Sequence, residues 1–169
     1  MSLCILNSRA HVGMEALPVT VEVQLSGGLP CMNIVGLPEL AVRESKDRVR
    51  GAIHNGHFQF PAGRITVNLA PADLPKEGGR FDLPIALGVL GASGQIRTGG
   101  LPGLEFLGEL ALSGALRPVQ GVLPAALAAR DAGHALVVPR QNASEAGLVK
   151  GLRVHPADYL LEVCAHLNG

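Results

Sequence analysis

The segment Lys76–Asp82 combines charged side chains with glycines in a way that can form a binding site. It holds four charged residues and two glycines directly before an apolar run. Gly78 and Gly79 could present main-chain N–H groups to an anion at a helix N-terminus, or they could simply permit a tight loop. The candidate site on this segment consists of Lys76, Glu77, Gly78, Gly79, Arg80 and Asp82.

Two of these side chains have specific expected roles. Asp82 is expected to cap a helix that begins at the next residue. Arg80 is expected to form an ion pair with a carboxylate, with Glu109 and Glu77 as the candidates. The alternative is that Arg80 extends into water, because exposed ion pairs add little stability. The first hypothesis makes the segment a rigid part of the fold.

Other patterns that carry chemistry are incomplete in this sequence. A nucleotide-binding P-loop needs GxxxxGK followed by Ser or Thr, and none of the three lysines fits that pattern. His54 and His57 are three residues apart, but no Cys or carboxylate stands at ligand spacing from them. The sequence therefore predicts neither a P-loop nor a metal site.

A second charged segment could contact DNA phosphates. It runs from residue 43 to residue 50 and contains four basic and two acidic residues. The alternative is a solvated helix face on which opposite charges are at helical spacing. Base stacking has little support, because the chain has no Trp, one Tyr and four Phe. The candidate DNA contacts are Arg43, Lys46, Arg48 and Arg50.

Composition restricts the class of protein further. The 169 residues are 47% hydrophobic, which predicts one domain over residues 1–169 with a real core. The 14 basic residues balance 14 acidic ones, which argues against strong free-standing binding to nucleic acid. No apolar run approaches the about 20 residues of a membrane span. The three cysteines show no paired spacing, so a cytoplasmic protein with reduced thiols is expected.

Hydrophobic periodicity predicts strands that alternate with helices. Val19–Leu25 alternates and leads through a turn to Cys31–Val35, which predicts a hairpin. A helix over 38–55, a strand over 64–69 and a buried helix from 83 to about 93 follow. The second half is predicted to contain strands at 106–112, 115–119, 135–138 and 152–154 and helices at 124–132, 142–150 and 156–167. The interleaved pattern predicts an α+β fold in two layers.

Three segments resemble one protein family: Val35–Glu39, Val49–Ile53 and Ile65–Ala86. The last contains Asn-Leu-Ala-Pro-Ala-Asp-Leu-Pro-Lys-Glu-Gly. The chain is similar, from Met1 to about Leu167, to the amino-terminal domain of the ComM/YifB family of bacterial competence proteins, also called magnesium-chelatase-like ATPases. The resemblance implies a Lon-protease-like domain, of the ribosomal small-subunit protein five type, excised from a longer chain with an AAA+ ATPase domain.

Lon proteases allow a comparison of single residues. Where they have Pro-Lys-Asp-Gly-Pro-Ser, with the nucleophilic serine last, this sequence has Pro75-Lys-Glu-Gly-Gly-Arg80. Gly108-Glu-Leu-Ala-Leu-Ser-Gly114 resembles a later Lon segment, and the similarity then places Leu123 where the catalytic lysine stands. The resemblance therefore implies a degenerate dyad, with Arg80 and Leu123 in its two positions and no catalytic residue.

By resemblance, the chain is a non-catalytic accessory domain that organises an ATPase assembly or guides DNA in branch migration during natural transformation. The domain itself needs no cofactor, and ATP and Mg would serve the absent ATPase domain. The implied partners are that domain, neighbouring subunits of a hexamer, and DNA through the whole protein but weakly through this domain; no membrane is implied. The competing hypothesis is a serine hydrolase that pairs Ser113 or Ser93 with Lys76.

Overall fold

A computed structural model describes residues 2–169 of the chain. The strands are β1 (Ser2–Val12), β2 (Glu15–Ser26), β3 (Cys31–Val35), β4 (Arg64–Ala70), β5 (Leu104–Phe106), β6 (Glu109–Leu110), β7 (Leu116–Arg117), β8 (Ala135–Pro139) and β9 (Val154–Ala157). The α-helices are α1 (Leu40–Arg43), α2 (Ser45–Asn55), α3 (Asp82–Ala92), α4 (Val122–Asp131), α5 (Ala143–Ala146) and α6 (Leu160–Leu167). No helix within these residues has the length and apolar character needed to cross a membrane.

Seven strands form one mixed sheet in the order β3-β4-β2-β1-β5-β8-β9. β1 and β2 pair antiparallel along their whole length, from Ser2↔Leu25 to Val12↔Glu15, and β2 also pairs antiparallel with β4. The other neighbouring strands in the sheet are parallel. Parallel neighbours need crossover connections, and helices α1 to α5 lie between strands, whereas α6 follows the last strand. β6 and β7 form a separate antiparallel ribbon.

A short seam between β1 and β5 joins the two halves of the sheet. In the strand ladder, a single Cα pair, Asn7↔Glu105, connects them. Side chains of β1 add to this connection. The Ser8 hydroxyl donates to the carbonyl oxygen of Phe106 at 2.7 Å, and Asn7 Nδ2 donates to the carbonyl oxygen of Leu104 at 3.3 Å. The seam therefore depends on side-chain hydrogen bonds as well as on the main chain.

α3 is the central helix of the larger core. All but one of its residues are buried, which explains why its sequence shows no polar face. It packs on β1 and β2 and against α2. Gly88 allows this close packing, because a Cβ there would come within 2.3 Å of the Val23 side chain. The predicted buried helix from residue 83 to about residue 93 is confirmed.

α4 covers the opposite face of the sheet near β8. Side chains of successive strand residues point to opposite faces. Val137 belongs to the core around α3, whereas Leu136 and Val138 belong to a second cluster that contains residues of α4. Leu3 and Ile5 on β1 remain exposed. The structure agrees with the predicted α+β sandwich at this coarse level, with an additional helical layer over part of the sheet.

The predicted hairpin of Val19–Leu25 with Cys31–Val35 is wrong. β2 lies between β1 and β4, and β3 pairs parallel with β4. The sequence analysis did not predict β1, since the polar residues Asn7, Ser8 and Arg9 interrupt its apolar alternation. Without that strand, the nearest alternating segment is Cys31–Val35, and periodicity alone favours it as the partner of β2. Local periodicity carries no information about a pairing partner that is distant in sequence.

Most other predicted elements lie within a few residues of the observed ones. The helix predicted over 38–55 is divided at Glu44 into α1 and α2, and α4 begins at Val122 rather than at residue 124. The strand predicted at 106–112 is divided between the end of β5 and β6, and β7 is shorter than the strand predicted at 115–119. The helix predicted at 142–150 is limited to α5. The last helix begins at Leu160 rather than at residue 156, because residues 154–157 belong to β9.

Candidate functional site

The segment Lys76–Asp82 connects β4 to α3 and is held by main-chain hydrogen bonds near both ends. The Lys76 N–H donates to the carbonyl oxygen of Leu37 at 3.2 Å, and the Lys76 carbonyl oxygen accepts from the Glu39 N–H at 3.0 Å. Near the other end, the Arg80 carbonyl oxygen accepts from the Gly108 N–H at 3.0 Å. The segment is therefore fixed to the chain after β3 and to the chain before β6.

The Lys76 side chain is completely buried. Its ammonium donates to the carbonyl oxygen of Gly36 at 2.6 Å and to that of Pro71. Burial lowers the pKa of Lys76, and the charge of Asp73 acts in the opposite direction. Main-chain carbonyls therefore hold this ammonium in place of a carboxylate.

Neither candidate serine is hydrogen-bonded to Lys76. The Ser93 hydroxyl donates to the carbonyl oxygen of Val89 at 2.9 Å, and the Ser113 hydroxyl accepts from the Ala115 N–H at 3.3 Å. A base must come within hydrogen-bond distance, about 3 Å, to activate a hydroxyl. The structure does not assemble the relocated Ser/Lys pair.

The expected ion pair of Arg80 with Glu109 or Glu77 is wrong. Arg80 is only 6% exposed, and its Nε donates to the carbonyl oxygen of Arg9 at 2.9 Å. Its Nη1 donates to the carbonyl oxygen of Gln120 at 2.8 Å, and its buried Nη2 has no hydrogen-bond partner among residues 2–169. Burial lowers the pKa of Arg80 to about 10. The alternative, in which Arg80 extends into water, is wrong as well.

The predicted cap at Asp82 is also wrong. The N-cap position of α3 is Phe81, and no side chain within residues 2–169 caps this helix. Asp82 is the first residue of the helix, is fully buried, and accepts hydrogen bonds from the Ser45 hydroxyl and from Arg48 Nε at 2.6 Å. It also accepts from the Leu110 N–H at 3.0 Å. Burial raises the pKa of Asp82 even though these bonds lower it. Asp82 therefore links α3 to α2 and β6.

A cleft of about 350 Å³ lies between this segment and residues 118–120. Its titratable lining residues are Glu77, Arg80 and Glu109, with His11 from the end of β1. The Glu109 carboxylate lies against Gly79, where a Cβ would come within 2.3 Å of Oε1. The cleft therefore presents two carboxylates and one buried guanidinium, and no hydroxyl nucleophile lines it.

Leu123, where the resemblance implies the second position of a degenerate dyad, does not line this cleft. It lies in the first turn of α4 and packs against the smaller core cluster. Its N–H donates to Glu145 Oε2 at 3.2 Å. Hydroxyl nucleophiles need an adjacent base, and neither Arg80 nor Leu123 offers a hydroxyl or an available base. The two positions therefore do not form a nucleophile–base pair.

The four basic residues predicted to contact DNA are not equally available to a ligand. Arg48 faces the buried carboxylate of Asp82 and is a structural partner of that residue. Arg43 and Arg50 are exposed, and Lys46 is half-buried. Of the four candidates, Arg43, Lys46 and Arg50 are therefore available to bind a phosphate.

The sequence analysis missed a buried ion pair between β1 and β5. Arg9 Nε lies 2.7 Å from Glu105 Oε1, and Arg9 Nη2 lies 3.0 Å from Glu105 Oε2. His134 Nδ1 lies 2.9 Å from the same Oε2. The sequence does contain a signal for this pair. Arg9 and Glu105 are each a single charged residue within an apolar strand, and buried charges must be paired.

A metal site has no support in the geometry of residues 2–169. This part of the chain contains no group of three or more His, Cys, Asp or Glu side chains that could hold a metal ion. His54 and His57 are both exposed near the end of α2.

Similarity to known proteins indicates the family. A family model described as "Subunit ChlI of Mg-chelatase" matches residues 21–142. The chain is 56% identical to Competence protein ComM of Haemophilus influenzae over 169 residues, which are 100% of this chain and 33% of that protein. It is 52% identical to Uncharacterized protein YifB of Escherichia coli (strain K12), with the same coverage of both chains.

A more distant relative shows the same pattern. The chain is 43% identical over 158 residues to an uncharacterized protein of Mycobacterium tuberculosis, and the match covers 93% of this chain and 31% of that protein. The chain thus spans about a third of the length of these curated relatives. The family match covers most of the chain, and the relatives match it nearly end to end. The chain therefore belongs to the ComM/YifB group of the Mg-chelatase ChlI-like family.

Proposed function

We propose that this chain is a non-catalytic accessory domain of a Mg-chelatase-like AAA+ ATPase, built on a Lon-protease-like scaffold. The family and the length of the relatives support the context of a longer protein. The main support for a non-catalytic role is the environment of Arg80. A buried guanidinium bound to two main-chain carbonyls stands where the resemblance puts the nucleophile.

In the longer protein, the domain organises the subunits of a hexamer or guides DNA towards the ATPase domain, where ATP and Mg²⁺ act. This proposal assigns the longer protein a role in DNA branch migration during natural transformation. The word "competence" in the name of the Haemophilus influenzae relative supports that setting. In this proposal the domain positions the subunits or the DNA, whereas the ATPase domain supplies the energy of ATP hydrolysis.

Labelling with a serine-reactive fluorophosphonate tests the absence of catalysis. We expect no labelled serine and no cleavage of unfolded casein by the chain. Arg80→Ser restores a hydroxyl at the first position of the degenerate dyad, and we expect this variant to remain inactive because Leu123 cannot accept a proton. Labelling of one serine in the native chain would contradict the proposal and favour the hydrolase hypothesis.

DNA binding by the isolated chain is expected to be weak. The net charge is zero, and Arg48 is paired with Asp82, so few cations of the segment 43–50 remain for phosphates. Fluorescence anisotropy with single-stranded and forked oligonucleotides near physiological salt measures this affinity. Binding at micromolar concentration or tighter would contradict the expectation. Arg43→Gln and Arg50→Gln then show whether the exposed residues of this segment carry whatever binding remains.

Deletion of this domain from the longer protein tests the accessory role. We expect the deleted protein to retain ATP hydrolysis but to lose hexamer formation or its response to branched DNA. Analytical ultracentrifugation and a steady-state ATPase assay with and without DNA separate these outcomes. Unchanged assembly and an unchanged response to DNA would contradict the proposal.

A further inference from the structure

A second cleft, of about 550 Å³, lies where the parallel strands β5, β8 and β9 begin. We call it the imidazole cleft and define it by Arg130, His134, Arg153, His155 and His166, which line it together with four glycines. It shares no lining residue with the cleft beside Arg80. The proposed accessory function does not use it.

Every titratable side chain that lines the imidazole cleft is basic. The lining includes three of the six histidines in the chain and two arginines, but no Asp or Glu. The chain as a whole has 14 basic and 14 acidic residues. A local excess of basic groups on a neutral chain is therefore a property of this cleft and not of the overall composition.

Two of the carboxylates near the cleft, Glu105 and Asp131, are already paired. Glu105 contacts His134, but Arg9 binds both of its oxygens, at 2.7 and 3.0 Å. Asp131 pairs with Arg130 at 3.2 Å on the exposed side. Arg153 forms no ion pair with any residue in the described range 2–169. The positive charge of Arg153 is therefore left without a counter-charge inside the cleft.

His155 and His166 are in direct contact in this cleft. Their ring centroids are 4.6 Å apart, with the planes tilted by 40°. Burial lowers the pKa of His155, and the charges of His166 and Arg153 lower it further. Glu162, one turn before His166 on α6, lines a neighbouring pocket with both rings. Among residues 2–169 it forms no ion pair with either ring. The groups around His155 thus disfavour a second positive charge, which a bound anion would stabilise.

We propose that the imidazole cleft binds a phosphate group, carried either by a small phosphorylated molecule or by the backbone of a nucleic acid. The arginines supply charge-assisted hydrogen bonds to phosphate oxygens, and protonated imidazoles donate from both ring nitrogens. The four glycines let a ligand approach the main chain closely. Binding involves no covalent step, and it favours the protonated form of His155.

Titration of the chain with inorganic pyrophosphate at constant ionic strength tests this site. Imidazole resonances in ¹H–¹⁵N spectra report each histidine, and calorimetry reports the affinity. We expect the resonances of His155 and His166 to shift and the pKa of His155 to rise when pyrophosphate binds. Absence of any shift at millimolar pyrophosphate, together with no binding of an oligonucleotide at these residues, would overturn the proposal.

A matched pair of variants identifies the residues that bind. Arg153→Gln removes an exposed side chain from the cleft, and we expect it to weaken pyrophosphate binding about tenfold, as for the loss of one charged hydrogen bond. Arg64→Gln removes the same charge from an exposed side chain at the start of β4, outside the cleft, and should leave the affinity unchanged. Equal weakening in both variants, or none in Arg153→Gln, would overturn the assignment.

A single-stranded oligothymidylate distinguishes the two sources of phosphate. If the oligonucleotide displaces pyrophosphate and Arg153→Gln weakens both ligands, the cleft accepts a backbone phosphate. If pyrophosphate alone binds, the cleft takes a small phosphorylated molecule. Either result supports a phosphate site, whereas oligonucleotide binding that is insensitive to Arg153→Gln, with no pyrophosphate binding, contradicts it.

Discussion

Arg9 and Arg80 are buried to nearly the same degree, 8% and 6% exposed, but their charges are compensated differently. Arg9 makes two hydrogen bonds to the carboxylate of Glu105. Arg80 donates to two main-chain carbonyls, one of them that of Arg9 itself, and forms no ion pair with a carboxylate in the described part of the chain. Desolvation of a charge is costly. The comparison shows a full counter-charge at one site and only carbonyl dipoles at the other.

Substitution of the counter-charge should produce the largest effect. Glu105→Gln leaves the Arg9 guanidinium buried without a carboxylate, and we expect a loss of about 3–5 kcal/mol in the free energy of unfolding. Urea denaturation measures this loss. The double variant Arg9→Met/Glu105→Leu should recover much of the stability, because neither charge is then buried. A loss below about 1 kcal/mol in Glu105→Gln would mean that this pair is not the stabilising element.

Removal of the Asp82 carboxylate should cause the second-largest loss of stability. Asp82→Ala breaks the hydrogen bonds from Ser45, Arg48 and the Leu110 N–H, so we expect a loss of about 2–3 kcal/mol. A lost helix cap alone would cost about 1 kcal/mol. Asp131→Ala is the matched control, since Asp131 is exposed and pairs only at the surface. A loss as small as that of a cap would contradict the linking role of Asp82.

Replacing each arginine by methionine compares the two sites directly. Arg80→Met removes a buried charge that has no carboxylate partner, and we expect a change of about 1 kcal/mol or less in either direction. Arg9→Met leaves Glu105 unpaired and should cost several times more. Thermal melts of both variants give the comparison. Equal losses would show that the carbonyls of Arg9 and Gln120 compensate Arg80 as well as a carboxylate does.

A pH dependence at Asp82 is the smallest expected effect. Burial raises the pKa of Asp82 in the folded chain above its ordinary 3.8. Such a group contributes stability that is fully present below its unfolded pKa and is lost as the pH rises through the folded pKa. The stability advantage of the native chain over Asp82→Asn should therefore shrink as the pH rises through that window. Urea denaturation of the native chain and of Asp82→Asn across this pH range tests the expectation, with Asp131→Asn as the control. A stability advantage of the native chain that grows as the pH rises would contradict a raised pKa of Asp82.

Elements with a local signal were predictable from the sequence. α3 is apolar on all sides, and α4 ends just before Gly133, which has a φ of 78°. The order of the strands was not predictable, because β1 finds its parallel partner about 100 residues later in the chain. Hydrophobic periodicity describes a strand's two faces and says nothing about its two neighbours.

The contacts of the candidate site could not be predicted from the sequence. The charged segment from Lys76 to Asp82 is buried at three of its four charged positions. The partner of Asp82 is Arg48, which lies 34 residues earlier. The partners of Lys76 and Arg80 are main-chain carbonyls, and since every residue has a carbonyl, no residue type could indicate them.

The seam between β1 and β5 has a consequence for the order of folding. The β1–β2 ribbon joins residues that are close along the chain, whereas the bond from Ser8 to Phe106 spans 98 residues. Closing a loop of that length is entropically unfavourable until other contacts have formed. The two halves of the sheet are therefore expected to assemble as separate cooperative units that join last. In the native state, amide hydrogens along this seam should exchange with solvent sooner than those of β1 that face β2.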